Sequence, residues 1–214
     1  MAKTRRWKSP TGRRPQYKRF LVVVEGDVTE RQYIEAAKRT RRIRSENVRI
    51  EHKYTDPLGI VREAKRLRNG AAKIDPYDEV WCVFDVEAKL NQKVRPGFAN
   101  GLVMAAGTKI SCGVSNPCFE VWLLLHAIDW TAWIDSNSAQ RKCVELGITQ
   151  TLNAKHIIDP ETLVSGSFAA ARGRAIDLDK MHETNGTTKV EDQNPSSGFY
   201  NLIDAILEAF PMPK

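Results

Sequence analysis

The sequence predicts an α/β protein built on a mostly parallel sheet flanked by helices, and three observations predict it. Two apolar runs, Phe20–Val24 and Val80–Phe84, are continuous rather than alternating, the pattern of strands buried on both faces. Segments of helical periodicity separate and follow them. Each run also stops abruptly at an acid, Glu25 in one case and Asp85 in the other. Strands that alternate with helices need crossover connections, and such connections make neighbouring strands parallel.

Taken in order, residues 1–18 set Pro10, Gly12 and Pro15 among basic side chains and read as an arm. Residues 19–214 are expected to form a single domain, because 214 residues, 42% of them hydrophobic, supply one core and a helical extension rather than two domains. After the first strand, Asp27 with Glu30 resembles a capping box, opening a helix to about Arg42. Val48, Ile50, His52 and Tyr54 alternate and predict a second strand. Pro57 then begins a helix with Ile60, Val61, Ala64 and Leu67 on one face, closed by Asn69-Gly70.

Beyond Val80–Phe84, a helix over about 96–107 leads to a short strand near 109–114. Ser115-Asn116-Pro117 is expected to cap an apolar helix from Cys118 to Ile128, with the proline in its first turn. After Asp129 only helices are expected, over roughly 136–147, 160–183 and 196–210. Asn194 caps the last of these in this reading, with Pro195 in its first turn, and 184–197 is a surface loop. These C-terminal helices should pack on the sheet.

Composition narrows the function classes. The longest apolar run, Val121–Ile128, is far short of the roughly 20 residues that span a bilayer. The charged start has no apolar stretch behind it to act as a signal peptide, so a cytoplasmic protein without membrane contact is expected. Cys82, Cys112, Cys118 and Cys143 lie far apart, with no C-x-x-C pair for zinc or redox work. No glycine-rich phosphate loop follows a strand, which argues against a nucleotide-binding Rossmann enzyme.

Charge is uneven along the chain. Residues 1–19 contain eight Lys or Arg and no acid; up to Arg68 there are 20 basic against 8 acidic residues (+12), and from Asn69 onward 13 against 18 (−5). A polyanion meeting the N-terminal half would account for this, and a solvated tail would account for the arm alone. Lys38, Arg39, Arg41, Arg42 and Arg44 are the strongest candidates for such contact. Arg31 and the basic residues of 62–68 could equally be solvated helix faces.

In an open parallel sheet, ligands bind beyond the carboxyl ends of the strands. Glu25 directly follows the first strand, and Asp85 and Glu87 directly follow the third. Two residues apart in extended chain, Asp85 and Glu87 would point to one face. A single acid at a strand end is commonly a cap or turn residue, but two apolar strands both ending in acid are less easily accidental. Crowded carboxylates repel unless a cation compensates, and hard oxygen donors suit Mg²⁺ or Mn²⁺.

Residues 24–30 (VEGDVTE), 83–87 (VFDVE), 115–124 (SNPCFEVWLL) and 194–197 (NPSS) together resemble the RloB-like family. That family occurs among bacterial phage-defence and abortive-infection genes, and its core is similar to a TOPRIM fold. The resemblance implies a Mg²⁺- or Mn²⁺-dependent nuclease acting on DNA or RNA, together with a partner ATPase of a defence system. Some TOPRIM domains bind without cutting, so a non-catalytic nucleic-acid-binding module is the alternative. Carried onto this sequence, Glu25 is the expected general acid or base, Asp85 a metal-holding aspartate, and Glu87 stands where a second aspartate is usual. Glu120, after Asn116-Pro117, would complete the metal set or else pair with an arginine. A basic residue near the scissile phosphate is also expected, and Lys89 is nearest to the acids in sequence.

Overall fold

The structure is a computed structural model describing residues 17–71, 75–87, 95–152 and 155–211. The arm up to residue 16 and Lys89 lie outside the described residues. The first strand, β1 (Phe20–Val24), is fully buried along its length, as its unbroken apolar run requires. It is followed by α1 (Thr29–Thr40), β2 (Val48–His52), α2 (Pro57–Ala71), β3 (Glu79–Asp85), α3 (Phe98–Thr108) and β4 (Ser111–Asn116). The sheet order is β2-β1-β3-β4-β5, with the first four strands parallel and β5 (Ser196–Ser197) antiparallel at the edge. An α/β fold with a mostly parallel sheet is therefore what the chain adopts.

Alternate residues of β1 divide the core into two layers. Phe20, Val22 and Val24 face α1 and the C-terminal helices, whereas Leu21 and Val23 face α2 and α3. The second half of the chain forms α4 (Glu120–Ala127), α5 (Ser136–Glu145), α6 (Pro160–Thr162), a π-helical turn (Leu163–Ser167), α7 (Phe168–Thr184) and α8 (Phe199–Ala209). These helices cover one face, with α7 against α4 and α8 against β4. Helix α4 is apolar nearly all round because it is enclosed on nearly every side, Val121 to Leu125 all being buried.

Aromatic packing fixes the two helices that frame the carboxyl edge of the sheet. Tyr33 of α1 meets Trp122 edge-on at 5.8 Å between ring centres and Phe119 at 6.4 Å, and Phe199 of α8 meets Phe119 at 4.9 Å. Pairs of this kind contribute about 0.5–1.5 kcal/mol each beyond their buried area. They hold the first turn of α1 beside the first turn of α4. His126 completes the cluster, 3.1 Å from the Tyr33 hydroxyl and 2.7 Å from Ser167 Oγ; burial pushes its pKa down to about 3, so it is a neutral core residue.

Three local expectations fail, each because a distant contact replaces a local one. Asn116 caps no helix: β4 runs through it, its side-chain amide donates to the Val190 and Glu191 carbonyls, and α4 begins only at Glu120. Asn194 likewise caps nothing, since its side chain exchanges two hydrogen bonds with the backbone of Ile134. The expected helix from 196 opens instead with β5, paired to Ser115 and Asn116, and α8 starts at Phe199. Strand structure thus occurs after Asp129, where only helices were expected. The capping box also departs from expectation: Asp27 pairs with Arg31 at 2.9 Å, and no side chain caps α1.

Candidate metal-binding and catalytic site

β1 pairs with β2 on one side and β3 on the other, so the chain changes direction between β1 and β3, the place where open α/β sheets bind ligands. Glu25 and Asp85 stand at that point. The Glu25 amide donates to the Val83 carbonyl at 2.9 Å, continuing the ladder, and Glu25 Oε2 accepts the Asp85 amide at 2.9 Å. The first acid therefore ties the end of its own strand to the end of the next.

A cavity of about 220 Å³ opens beyond these strand ends. Glu25, Glu30, Asp85, Glu87 and Glu120 all line it, with Lys155 on its wall. Glu30 and Glu120 are almost fully buried and enter from the first turns of α1 and α4, where the helix dipoles favour negative charge. Glu30 Oε1 accepts the Gly26 amide at 3.0 Å, and its Oε2 accepts the Thr29 hydroxyl at 2.8 Å. Lys155 Nζ lies 3.8 Å from Glu120.

The crowding has an electrostatic consequence. Burial raises the Asp85 carboxyl well above the ordinary aspartate range, and the charges of Glu30, Glu25 and Glu120 push in the same direction. Burial likewise raises Glu30, with Glu120 adding to it against the stabilising hydrogen bonds. The Cys118 thiol on the cavity wall is raised by burial and by Glu120 and Asp85, so it stays protonated at neutral pH.

Arg95 supplies the local counter-charge. Its guanidinium takes both Glu25 oxygens in a fork, donates to the Asp85 and Thr55 carbonyls, and lies 3.5 Å from Glu87. Only 15% of the Arg95 side chain and 14% of the Glu25 side chain are exposed, so the pair is largely withdrawn from water. Arg95 Nε is buried without a partner among the described residues.

Residues 20–206 match the family model described as RloB-like protein. The chain belongs to the RloB-like family. No curated protein and no solved structure matches it significantly. The matched span begins at the first residue of β1 and ends within α8, so it takes in all five strands and every cavity carboxylate of this RloB-like protein.

The predicted acids reach one cavity but not in one role. Glu25 is held by Arg95, Asp85 sits among the buried carboxylates, and Glu120 joins it. Glu87 lies on the rim with its side chain 56% exposed. Extended geometry does not bring Asp85 and Glu87 to one face, because β3 ends at Asp85. Val86 is buried and donates to the Ser115 carbonyl, and Glu87 takes a left-handed backbone (φ 50°) with its amide on the Pro117 carbonyl. Among the described residues, no three His, Cys, Asp or Glu side chains are gathered as a ready ligand set.

Sequence reasoning overlooked Glu30 and Arg95. Glu30 was assigned to a helix cap, and its recurrence one helical turn past Glu25-Gly26 was the available signal. Arg95 follows a long loop and carries no local mark at all. The basic residues proposed to meet a polyanion lie at the other end of α1. There Lys38 is buried against Glu35 at 2.8 Å, Arg39 pairs with Glu161, and Arg41, Arg42 and Arg44 line a separate cavity.

Proposed function

We propose that this RloB-like protein hydrolyses phosphodiester bonds in nucleic acid, using Mg²⁺ or Mn²⁺ at the carboxyl edge of a TOPRIM-like sheet. The observation that carries this reading is the cluster of Asp85, Glu30 and Glu120 in one cavity, where burial raises Asp85 and its acidic neighbours add to it. Such a donor set is all hard oxygen and short of positive charge, which fits a small divalent cation. Asp85 and Glu120 would hold the metal with Glu30, Glu25 would join them on release from Arg95, and Glu87 would face the metal from the exposed rim without a direct bond to it. Bound there, a divalent cation supplies charge neutralisation and water activation for phosphoryl transfer.

The chain's own groups have distinct tasks in this scheme. Arg95 is built to bind a phosphate with two parallel N–H donors, the geometry it already uses on Glu25. Moving that fork from Glu25 to an incoming phosphate would free the carboxylate to act as general acid or base. Lys155, 3.8 Å from Glu120, would meet a second phosphate oxygen from that side. The family setting extends the proposal to bacterial anti-phage defence alongside a partner ATPase.

One observation favours the alternative of a non-catalytic binding module, namely that Arg95 already occupies both oxygens of Glu25. Incubating the purified protein with labelled RNA, single-stranded DNA and duplex DNA across a Mg²⁺ and Mn²⁺ titration separates the two. Cleavage that depends on metal and disappears in Asp85→Asn supports the nuclease. Binding without cleavage at any metal concentration, with its natural partner present, leaves the module.

A further inference from the structure

The cavity lined by Arg41, Arg42 and Arg44 lies at the amino edge of the sheet, opposite the acid pocket. It has a volume of about 390 Å³, and Asn47, Tyr17 and Phe210 are among its other lining residues. The rings of Tyr17 and Phe210 stack at 5.7 Å between centres and form an apolar side to an otherwise cationic hollow.

Among the described residues, acids take up little of its charge. Most neighbouring cations are paired: Lys18 with Glu79, Arg19 with Asp75, Arg39 with Glu161 and Lys38 with Glu35. Among the described residues, Arg41 and Arg42 have no carboxylate within ion-pair distance, and Arg44 has only Glu46 at 3.7 Å with both side chains 68% exposed. Favourable interaction with the carboxyl-terminal dipole of α1 explains one cation here but not three around a hollow. The geometry matches a phosphate backbone, whose repeated charges meet several arginines while a base or sugar rests on the aromatic wall.

The two cavities sit at the two ends of a single helix. Glu30, in the acid pocket, is in the first turn of α1, and Arg41 is the residue that ends it. Its 12 residues at about 1.5 Å each separate the sites by about 18 Å, roughly five base-pair steps of 3.4 Å. Resting on the nuclease reading, we infer that the Arg41–Arg42–Arg44 cavity is a remote docking site for the nucleic-acid backbone, so that the preferred substrate must span both edges of the sheet. A two-residue oligonucleotide reaches one site even when extended; a sixteen-residue one reaches both.

The test uses fluorescence anisotropy with labelled sixteen-residue DNA and RNA in chelator, where no cleavage intervenes. The variant is R41E/R42N, since Arg42 has a left-handed backbone (φ 54°) that asparagine tolerates. The wild type should bind at least tenfold more tightly than the variant, with a salt slope steeper by about two. The variant R172Q/K180Q, which removes two already paired cations of α7 that line neither cavity, should bind as the wild type does. Equal affinity of R41E/R42N and wild type overturns the site. So does binding to anionic lipid vesicles with none to either oligonucleotide.

Cleavage then reads the span. The wild type should cut the sixteen-residue substrate at least tenfold more efficiently than the two-residue one, and R41E/R42N should lose that preference. Equal efficiency in the wild type overturns the span. If binding behaves as expected and neither length is cut with any metal, the docking site stands and the nuclease reading fails.

Discussion

The two edges of the sheet carry opposite charge and handle it in opposite ways. At the carboxyl edge Glu30 and Glu120 are buried and Glu25 and Asp85 partly so, and the acids share hydrogen bonds with backbone amides and lean on one forked arginine. At the amino edge Arg42 and Arg44 are exposed and Arg41 is half-buried, with little or no acid beside them among the described residues. Buried charge is coupled to folding, because a group removed from water must find compensation inside the protein. Exposed charge is nearly free of that constraint, and its changes appear in binding instead. Substitutions at the two edges should therefore separate into effects on chemistry and stability and effects on affinity alone.

The largest expected effect is on chemistry at the acid edge. Asp85→Asn removes one negative charge from the proposed metal set, and cleavage should fall by at least about a thousandfold in a single-turnover assay. An Asp85→Asn protein that still cuts at a tenth of the wild-type rate would dissolve the distinction between the edges.

Next in size is stability. Arg95→Gln leaves Glu25 without its counter-charge, and breaking a largely buried pair costs about 3–5 kcal/mol. Denaturant unfolding should show that loss, and the double variant Glu25→Gln/Arg95→Gln should recover much of it. No recovery would mean that Arg95 acts through its bonds to the Asp85 and Thr55 carbonyls instead.

A smaller effect has the reverse sign. The folded state raises the pKa of Asp85 and of Glu30 above their unfolded values, so it holds their protons more tightly than the unfolded chain does. In chelator, stability from these two groups is therefore greatest below the ordinary carboxylate pKa of about 4 and declines as pH rises through the raised values. Asp85→Asn should remove part of that decline and melt higher than wild type at neutral pH without metal. Thermal melts from pH 4 to 8 check this, and a wild type that gains stability over the whole range would contradict the crowding.

Smallest are the changes at the periphery. Glu87→Asp, on the exposed rim, should alter cleavage by no more than about threefold, measured as kcat/KM. R41E/R42N, which sets an acid at the carboxyl end of α1, should change unfolding free energy by no more than about 1 kcal/mol.

Much of the frame was legible in the chain itself. The unbroken runs at Phe20–Val24 and Val80–Phe84 predicted buried parallel strands, because only a strand covered on both faces carries apolar residues at every position. The acids Glu25 and Asp85, placed immediately after those runs, could then be assigned to the carboxyl edge, and Glu120 to its vicinity. Family membership over 20–206 was readable from the same motifs. These are statements about residues near each other in sequence, or about strand ends that parallel topology must bring together.

What the sequence left open depends on contacts between distant segments. Asn116 and Asn194 both precede proline and both look like helix caps, yet each amide is used by backbone from another part of the fold. Glu30 looked like a helix cap and proved to be a cavity carboxylate, because the packing of Tyr33 on Phe119 and Trp122 brings α1 beside α4. Arg95 lies 70 residues from Glu25, with nothing in its surroundings to mark it. The basic run of 38–44 showed how much charge was present but not which charges were free. Burial of Lys38 and the pairing of Arg39 decided that, leaving Arg41 and Arg42 without a carboxylate partner among the described residues, at the far end of the helix that begins in the acid pocket.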